Sequence, residues 1–294
     1  MQNSIALVTG GSSGIGSHAC RALHDRGVTV YAAARRPMED LESYGINTLT
    51  MDVTDDESMR AGVAAVEERE GRIDILVNNA GYGFYGAIED VPMSEARRQF
   101  EVNVFGAMRL AQLVLPGMSE RSRGRIVNVS SIGGFFSMAL GGWYHATKYA
   151  MEALSDALRQ EASLCGVDVV LVEPGLTATS WEAIAAKNLR ATSGLGKYSL
   201  IANNFATALE VFGQGFATQP SVIGELIARA ALVPRPRTRY RKGMGALPLT
   251  TMARVVPDRL MDCAIMFFLT HADALIDAIH TSEAAHGAAR YTRE

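Results

Sequence analysis

Residues 9–16 read TGGSSGIG, and the reading of this stretch decides the fold. The five residues before it, SIALV at 4–8, form a short apolar run suited to a buried strand. Residues 14–26, which follow, carry helical spacing. A glycine-rich turn that closes a first strand and opens a first helix suits phosphate. It offers unpaired backbone N–H groups and the positive end of a helix dipole. Here Gly10 permits the tight bend, Gly14 lets the backbone approach a pyrophosphate, and Gly16 lets helix and strand pack closely. Ser12, Ser13 and Ile15 share the loop and join the expected cofactor contacts.

Working outward, short apolar runs at 28–33, 48–51, 73–77, 125–129 and 167–172 read as further buried strands. Helix-length segments lie at 55–70, 94–118 and 144–164. The strands are rich in Val, Ile and Leu without strict alternation, which suits a parallel sheet covered on both faces. Strand–helix alternation implies right-handed βαβ units, so the expected class is α/β, a Rossmann-type doubly wound parallel sheet flanked by helices. No repeat, low-complexity tract or linker divides the chain, and a single domain over 1–294 is expected. Beyond about Ser180 the chain turns helical and is punctuated by Gly194, Gly196, Gly213 and Gly215. Residues 181–220 are therefore expected to form a mobile substrate flap, and 245–294 a C-terminal helical extension. Between them, PRPRTRYRKGMG at 234–245 reads either as an edge strand with a solvated charged face or as a basic patch for an acidic ligand or membrane surface.

The chain has 294 residues, 48% of them hydrophobic, and a formal net charge of −3. That balance suits a well-filled core and gives no global reason to expect nucleic acid or an anionic membrane as partner. Cys20, Cys165 and Cys263 stand far apart, outside any metal-ligand spacing, and read as buried thiols in a reducing compartment. The six histidines are scattered as well, so no metal site is expected. The opening MQNSIALVTG runs straight into a strand, and the apolar run CAIMFFL at 263–269 is far short of the ~20 residues of a membrane span. A cytoplasmic protein without a transmembrane segment is expected.

The end of the second strand selects the nicotinamide cofactor. An NAD-selective site places an acid there to bind the ribose 2′-hydroxyl. This chain reads Ala32-Ala33-Ala34-Arg35-Arg36-Pro37, with no acid before Glu39. A guanidinium binds a 2′-phosphate by charge-assisted hydrogen bonds. NADP(H) is therefore expected over NAD(H), with Arg35 as main contact and Ser13 or Arg36 assisting.

Further along, NNAG stands at 78–81, EVNVFG at 101–106, NVSSIGG at 128–134, YHATK at 144–148 and PGLTAT at 174–179. Together with TGGSSGIG and in this order, these motifs resemble the short-chain dehydrogenase/reductase family. The similarity extends to its hydroxysteroid and retinol dehydrogenase branch through YAAARRP at 31–37, NNAGYG at 78–83 and GGWYHATK at 141–148. The resemblance weakens after about Ser180. It implies strand order 3-2-1-4-5-6-7 and a homo-dimer or homo-tetramer built on the long central helices. It places Asp52 and Val53 beside the adenine, Asn78 at the adenosine ribose, Ala80 and Gly81 along the cofactor, and Pro174, Gly175, Thr177 and Thr179 near the nicotinamide. It also implies a catalytic set of Asn103, Ser131, Tyr144 and Lys148. Ser131 is preferred over Ser130 because it precedes Tyr144 by thirteen residues. Asn103 would hold a water linking Lys148 to solvent.

Tyr144 and Lys148 are spaced to share one helix face. An ammonium beside a phenol favours the phenolate, so Lys148 is expected to lower the Tyr144 pKa towards operating pH. Tyr144 then serves as general acid and base, Lys148 also holds the nicotinamide ribose, and Ser131 hydrogen-bonds the substrate oxygen. Phe135, Phe136, Met138, Trp143, Trp181, Tyr82, Phe84 and Tyr85 suggest an apolar pocket for a lipophilic ketone, aldehyde or alcohol. Residues 257–269 read as a packed helix, with a lid, a dimer contact or a membrane-surface helix as alternatives. Two other functions fit the same motifs: a non-catalytic NADP(H)-binding regulator, and a non-redox member such as an epimerase or lyase.

Overall fold

A computed structural model describes residues 3–291. The ends of the expected domain and of its C-terminal extension, residues 1–2 and 292–294, lie outside the described residues. Seven strands form one sheet: β1 (Ile5–Thr9), β2 (Thr29–Ala34), β3 (Asn47–Thr50), β4 (Ile75–Asn78), β5 (Gly124–Val129), β6 (Val167–Pro174) and β7 (Arg239–Lys242). All pairs are parallel, in the order β3-β2-β1-β4-β5-β6-β7. The order reverses between β1 and β4, which opens a crevice at the carboxyl ends of the strands. Register fixes what meets there. Thr9 pairs with Ala33, so the glycine loop and Arg35 leave the sheet side by side. Val129 pairs with Val172, so Ser131 emerges beside Pro174.

The five inner strands bury both faces, as a covered parallel sheet requires, and the edge strands β3 and β7 are only partly buried. Val8, Val30, Val77, Val127 and Val170 pack on one side with Leu23 of α1 (Gly14–His24) and Ile227 of α9 (Pro220–Leu232). Leu7, Leu76, Ile126 and Val169 pack on the other with Val63 of α3 (Asp56–Glu70) and with Leu110 and Val114 of α5 (Gly106–Glu120). Leu7 is fully buried, and burial of such a side chain stabilises by about 1.5–3 kcal/mol. A short helix, α2 (Glu39–Glu42), links β2 to β3.

Two regions, at 94–118 and at the edge strand, depart from the sequence reading. The helix expected over 94–118 is α4 (Met93–Phe100) and α5, joined through a π-helical turn at Glu101–Phe105. Such turns insert one extra residue and are frequent at functional sites, and this one contains Asn103. The glycine-punctuated segment forms two packed helices, α7 (Ser180–Ser193) and α8 (Ser199–Gly215). They bury Leu189, Phe205 and Leu209 against Leu269 and Ala272 of α11 (Asp258–Tyr291), which follows α10 (Ala246–Val255). The edge strand β7 does not carry a solvated charged face throughout. Arg239 bonds Glu152, Asp156 and Glu173, and Arg241 pairs with Glu173. Glu173 is fully buried and Glu152 nearly so, and buried carboxylates require cationic partners.

Candidate active site

A cleft of about 1080 Å³ runs along the strand ends. Its first half is built from backbone and small side chains. Gly10 adopts φ 69°, a region favoured by glycine. A Cβ at Gly16 would lie 2.2 Å from the Gly10 carbonyl oxygen, so helix α1 meets the turn at an approach that leaves no room for a side chain. The Thr9 hydroxyl accepts from the backbone N–H groups of Asn79 and Ala80, each at 3.0 Å, and so ties the end of β4 to the glycine loop. Ser12, Ser13, Gly14, Ile15 and Gly16 all line the cleft.

Arg35 and Arg36 line it too, and both are exposed. Arg36 Nη2 donates to Ser12 Oγ at 3.1 Å and to Ser13 Oγ at 3.4 Å. Arg35 Nη1 lies 4.0 Å from Asp52 Oδ2. Burial works against the Asp52 charge, yet bonds from Thr54 and the charges of Arg35 and Arg98 hold its carboxyl below the ordinary value. Val53, Ala80, Gly81, Pro174, Gly175, Thr177 and Thr179 line the same cleft. Asn78 does not. Its amide Nδ2 donates to the Ala107 carbonyl and to Asn128 Oδ1, which turns the side chain into the sheet. The neighbouring Asn79, just beyond β4, lines the cleft instead, and its amide Nδ2 donates to the Thr9 carbonyl at 2.9 Å.

At the centre of the cleft stand Ser131, Tyr144 and Lys148. Tyr144 and Lys148 lie one turn apart on α6 (Gly142–Ser163), and both are buried. Lys148 Nζ donates to the Val129 carbonyl at 3.1 Å and sits 5.9 Å from the Tyr144 ring centroid. Ser131 Oγ accepts from Gly133 N at 3.1 Å and caps the short turn Ile132–Gly134. His145 Nδ1 meets the Gly133 carbonyl at 2.9 Å and pins that loop to α6.

The electrostatics differ from the sequence expectation. Burial pushes the Tyr144 phenol up to about 12, outweighing a lowering hydrogen bond with Ser131, and the Glu182 carboxylate adds to the rise. Burial pushes Lys148 down to about 8, with Glu152 acting in the opposite sense. The desolvation of both groups, rather than their mutual attraction, dominates. The phenol therefore stays protonated across the neutral range, the state of a proton donor.

Asn103 lies outside the cleft lining. Its Oδ1 accepts from Tyr82 N at 3.0 Å, while Nδ2 donates to the Tyr82 carbonyl at 2.8 Å and to Thr147 Oγ1 at 3.0 Å. The side chain thus clamps the loop after β4 to α6 one residue before Lys148, with both amide hydrogens engaged.

Against this geometry, the family model described as short chain dehydrogenase matches residues 4–189. The chain belongs to the short-chain dehydrogenase/reductase family. It is accordingly an oxidoreductase. A 3-ketodihydrosphingosine reductase of Bacteroides thetaiotaomicron is 33% identical over 273 residues, covering 91% of this chain and 98% of the relative. An NADPH-dependent 3-dehydrocapnine reductase of Ornithobacterium rhinotracheale is 32% identical over 270 residues, covering 87% and 94%. The structure of actinorhodin polyketide ketoreductase with NADPH superposes with a TM-score of 0.68 at 30% identity, covering 82% of this chain and 97% of that one.

In this short-chain dehydrogenase/reductase the second half of the cleft is apolar. Tyr85 and Trp181 flank the Tyr144 ring, with centroids 5.6 and 5.3 Å away. Beyond them the wall comes from the helices after Ser180. Phe205, Leu209 and Phe212 of α8, Leu249 and Met252 of α10, and Met261, Ile265 and Phe268 of α11 all line it. Of the aromatic residues singled out in the sequence, Phe135 and Trp143 lie outside the lining. Among residues the motifs did not indicate, Arg98 lines the cofactor half and Met244 the apolar half.

Proposed function

We propose that this enzyme is an NADP(H)-linked reductase of a lipophilic ketone or aldehyde. The observation that carries the reading is the division of one cleft into a half suited to a phosphorylated cofactor and an apolar half, with Tyr144, Ser131 and Lys148 at the junction. The fit to NADP(H) rests on this chain's own groups: the helix α1 N-terminus behind the glycine loop, and two exposed guanidiniums where a 2′-phosphate would stand. Two relatives named as reductases of a 3-keto and a 3-dehydro compound support the reductive direction.

When bound, NADPH supplies the hydride that the carbonyl carbon accepts. The protein does the rest. Ser131 donates a hydrogen bond to the carbonyl oxygen as negative charge develops there. The Tyr144 hydroxyl delivers the proton to the same oxygen, leaving an alcohol and a phenolate that is reprotonated from solvent. Lys148 holds the nicotinamide ribose hydroxyls, and its charge stabilises the phenolate. Asn103 positions α6 through Thr147. Trp181, Tyr85 and the α8–α11 wall exclude water from the reacting atoms.

Two exposed residues of α6, Tyr149 and Leu154, support pairing with a second copy along the central helices. Cys20 is buried, but Cys165 and Cys263 are exposed, contrary to the expectation of three buried thiols; all three are free. Free thiols support a reducing, cytoplasmic setting. Among the described residues, no helix is long and apolar enough to cross a membrane.

Purified protein, NADPH and an aromatic or long aliphatic ketone should give loss of reduced-nicotinamide absorbance and an equal amount of secondary alcohol by mass spectrometry. NADPH binding with no turnover across steroid, retinoid, aromatic and aliphatic carbonyls would contradict the reading.

A further inference from the structure

We propose that Glu152 is a positioning residue for Lys148: its buried carboxylate, anchored by Arg239 of the edge strand, keeps the lysine charged and so sets the alkaline limit of the reaction. The inference rests on the reductase reading above. Glu152 lies one helical turn beyond Lys148 on α6, on the same helix face, and is 7% exposed. Arg239 Nε and Nη2 donate to its Oε2 at 3.2 and 3.1 Å. Its other oxygen, Oε1, and the Ser130 hydroxyl are both buried without a hydrogen bond of good geometry. The Gly134 backbone packs closely on the Glu152 side chain, where a Cβ would lie 2.8 Å from the Glu152 Cγ.

Every element packed around Glu152 contributes a charged or polar group. Helix α6 supplies Lys148 and Asp156, the end of β5 supplies Ser130, β6 supplies Glu173, and β7 supplies Arg239 and Arg241. Arg254 of α10 acts on Glu173 and lies over the Phe135 ring, 5.4 Å from its centroid. The arginines are engaged with carboxylates or with Phe135. Lys148 is the cation that Glu152 faces along its own helix. A carboxylate beside an ammonium in a dry site favours the charged ammonium. Burial is the larger influence on Glu152 and pushes it up to about 7, while Ser130 and Arg239 act downward. Below that range the carboxyl is neutral, and above it the carboxylate resists loss of the Lys148 proton. The basic stretch 235–242 thereby acquires a task within the active site.

Glu152→Gln removes the charge and keeps the shape. Two pH profiles read the result: NADPH affinity by fluorescence titration, and kcat/KM for ketone reduction. Wild-type protein should lose both as pH rises through the Lys148 range, about 8. In Glu152→Gln both limbs should move to lower pH by about one unit, because loss of a buried negative charge favours neutral Lys148 and ionised Tyr144 alike. Glu152→Asp should show a smaller shift in the same direction, and it carries the test should the Gln variant fail to fold. Limbs that stay at the wild-type pH in a folded variant would overturn the proposal. Wild-type protein that neither binds NADPH nor turns over would instead overturn the reductase reading itself.

Discussion

The two halves of the cleft are held together by different forces. At the strand ends, positions are set by backbone conformation and hydrogen bonds: Gly16 against the Gly10 carbonyl, Thr9 bridging Asn79 and Ala80, Asn103 clamping Tyr82 to Thr147. Around the substrate end, Trp181, Phe205, Leu209 and Phe268 are held by apolar contact. A positive φ or a fixed hydrogen bond demands one residue type at one place. Apolar packing accepts many residues of similar volume. The first half is therefore constrained by chemistry common to many substrates, and the second is free to define one.

The comparison breaks first at the junction. Tyr144→Phe removes the proton donor and leaves the ring between Tyr85 and Trp181. Turnover should fall by about 10²–10⁴-fold, with NADPH affinity nearly unchanged by fluorescence titration. Loss of affinity together with turnover would make Tyr144 part of the cofactor wall instead. A smaller effect belongs to the cofactor half alone. Ala34→Asp combined with Arg35→Ala places a carboxylate where a 2′-phosphate would stand. NADPH affinity should weaken by about a hundredfold relative to NADH, the equivalent of one or two charge-assisted hydrogen bonds. An unchanged preference would leave Arg36, bonded to Ser12 and Ser13, as the deciding group.

The same division explains what the sequence made legible. The positions of the glycine loop, Arg35, Ser131, Tyr144 and Lys148 were legible as motifs whose residue types geometry restricts, and the sheet order came from the family that those motifs resemble. Asn78 and Asn79 were indistinguishable as letters, and their partners decide: Asn78 bonds Ala107 and Asn128, while Asn79 bonds the Thr9 carbonyl beside the cleft. The π turn at Glu101–Phe105 leaves no compositional mark, because any helix-compatible residue can occupy it. The proton affinity of Tyr144 was misjudged from spacing alone. A lysine four residues away suggests attraction, but spacing cannot report that both groups are desolvated. The arginines of β7 looked solvated because their partners, Glu152 and Glu173, lie 87 and 68 residues away in sequence. The contribution of α10 and α11 to the apolar wall was hard to read for the same reason: Met252 and Ile265 join Tyr144 in lining one cleft only in space.

The most direct test of the divided cleft is a series of aliphatic ketones of increasing chain length. It is run with NADPH on the wild type and on Phe212→Ala. The wild type should show kcat/KM rising with each added methylene, by up to about 1 kcal/mol of binding apiece, until the apolar half is filled. Phe212→Ala should lower kcat/KM for the longest ketones by roughly tenfold, and leave short ketones and NADPH affinity almost untouched. A profile flat with chain length, or highest for short polar carbonyls, would contradict the account.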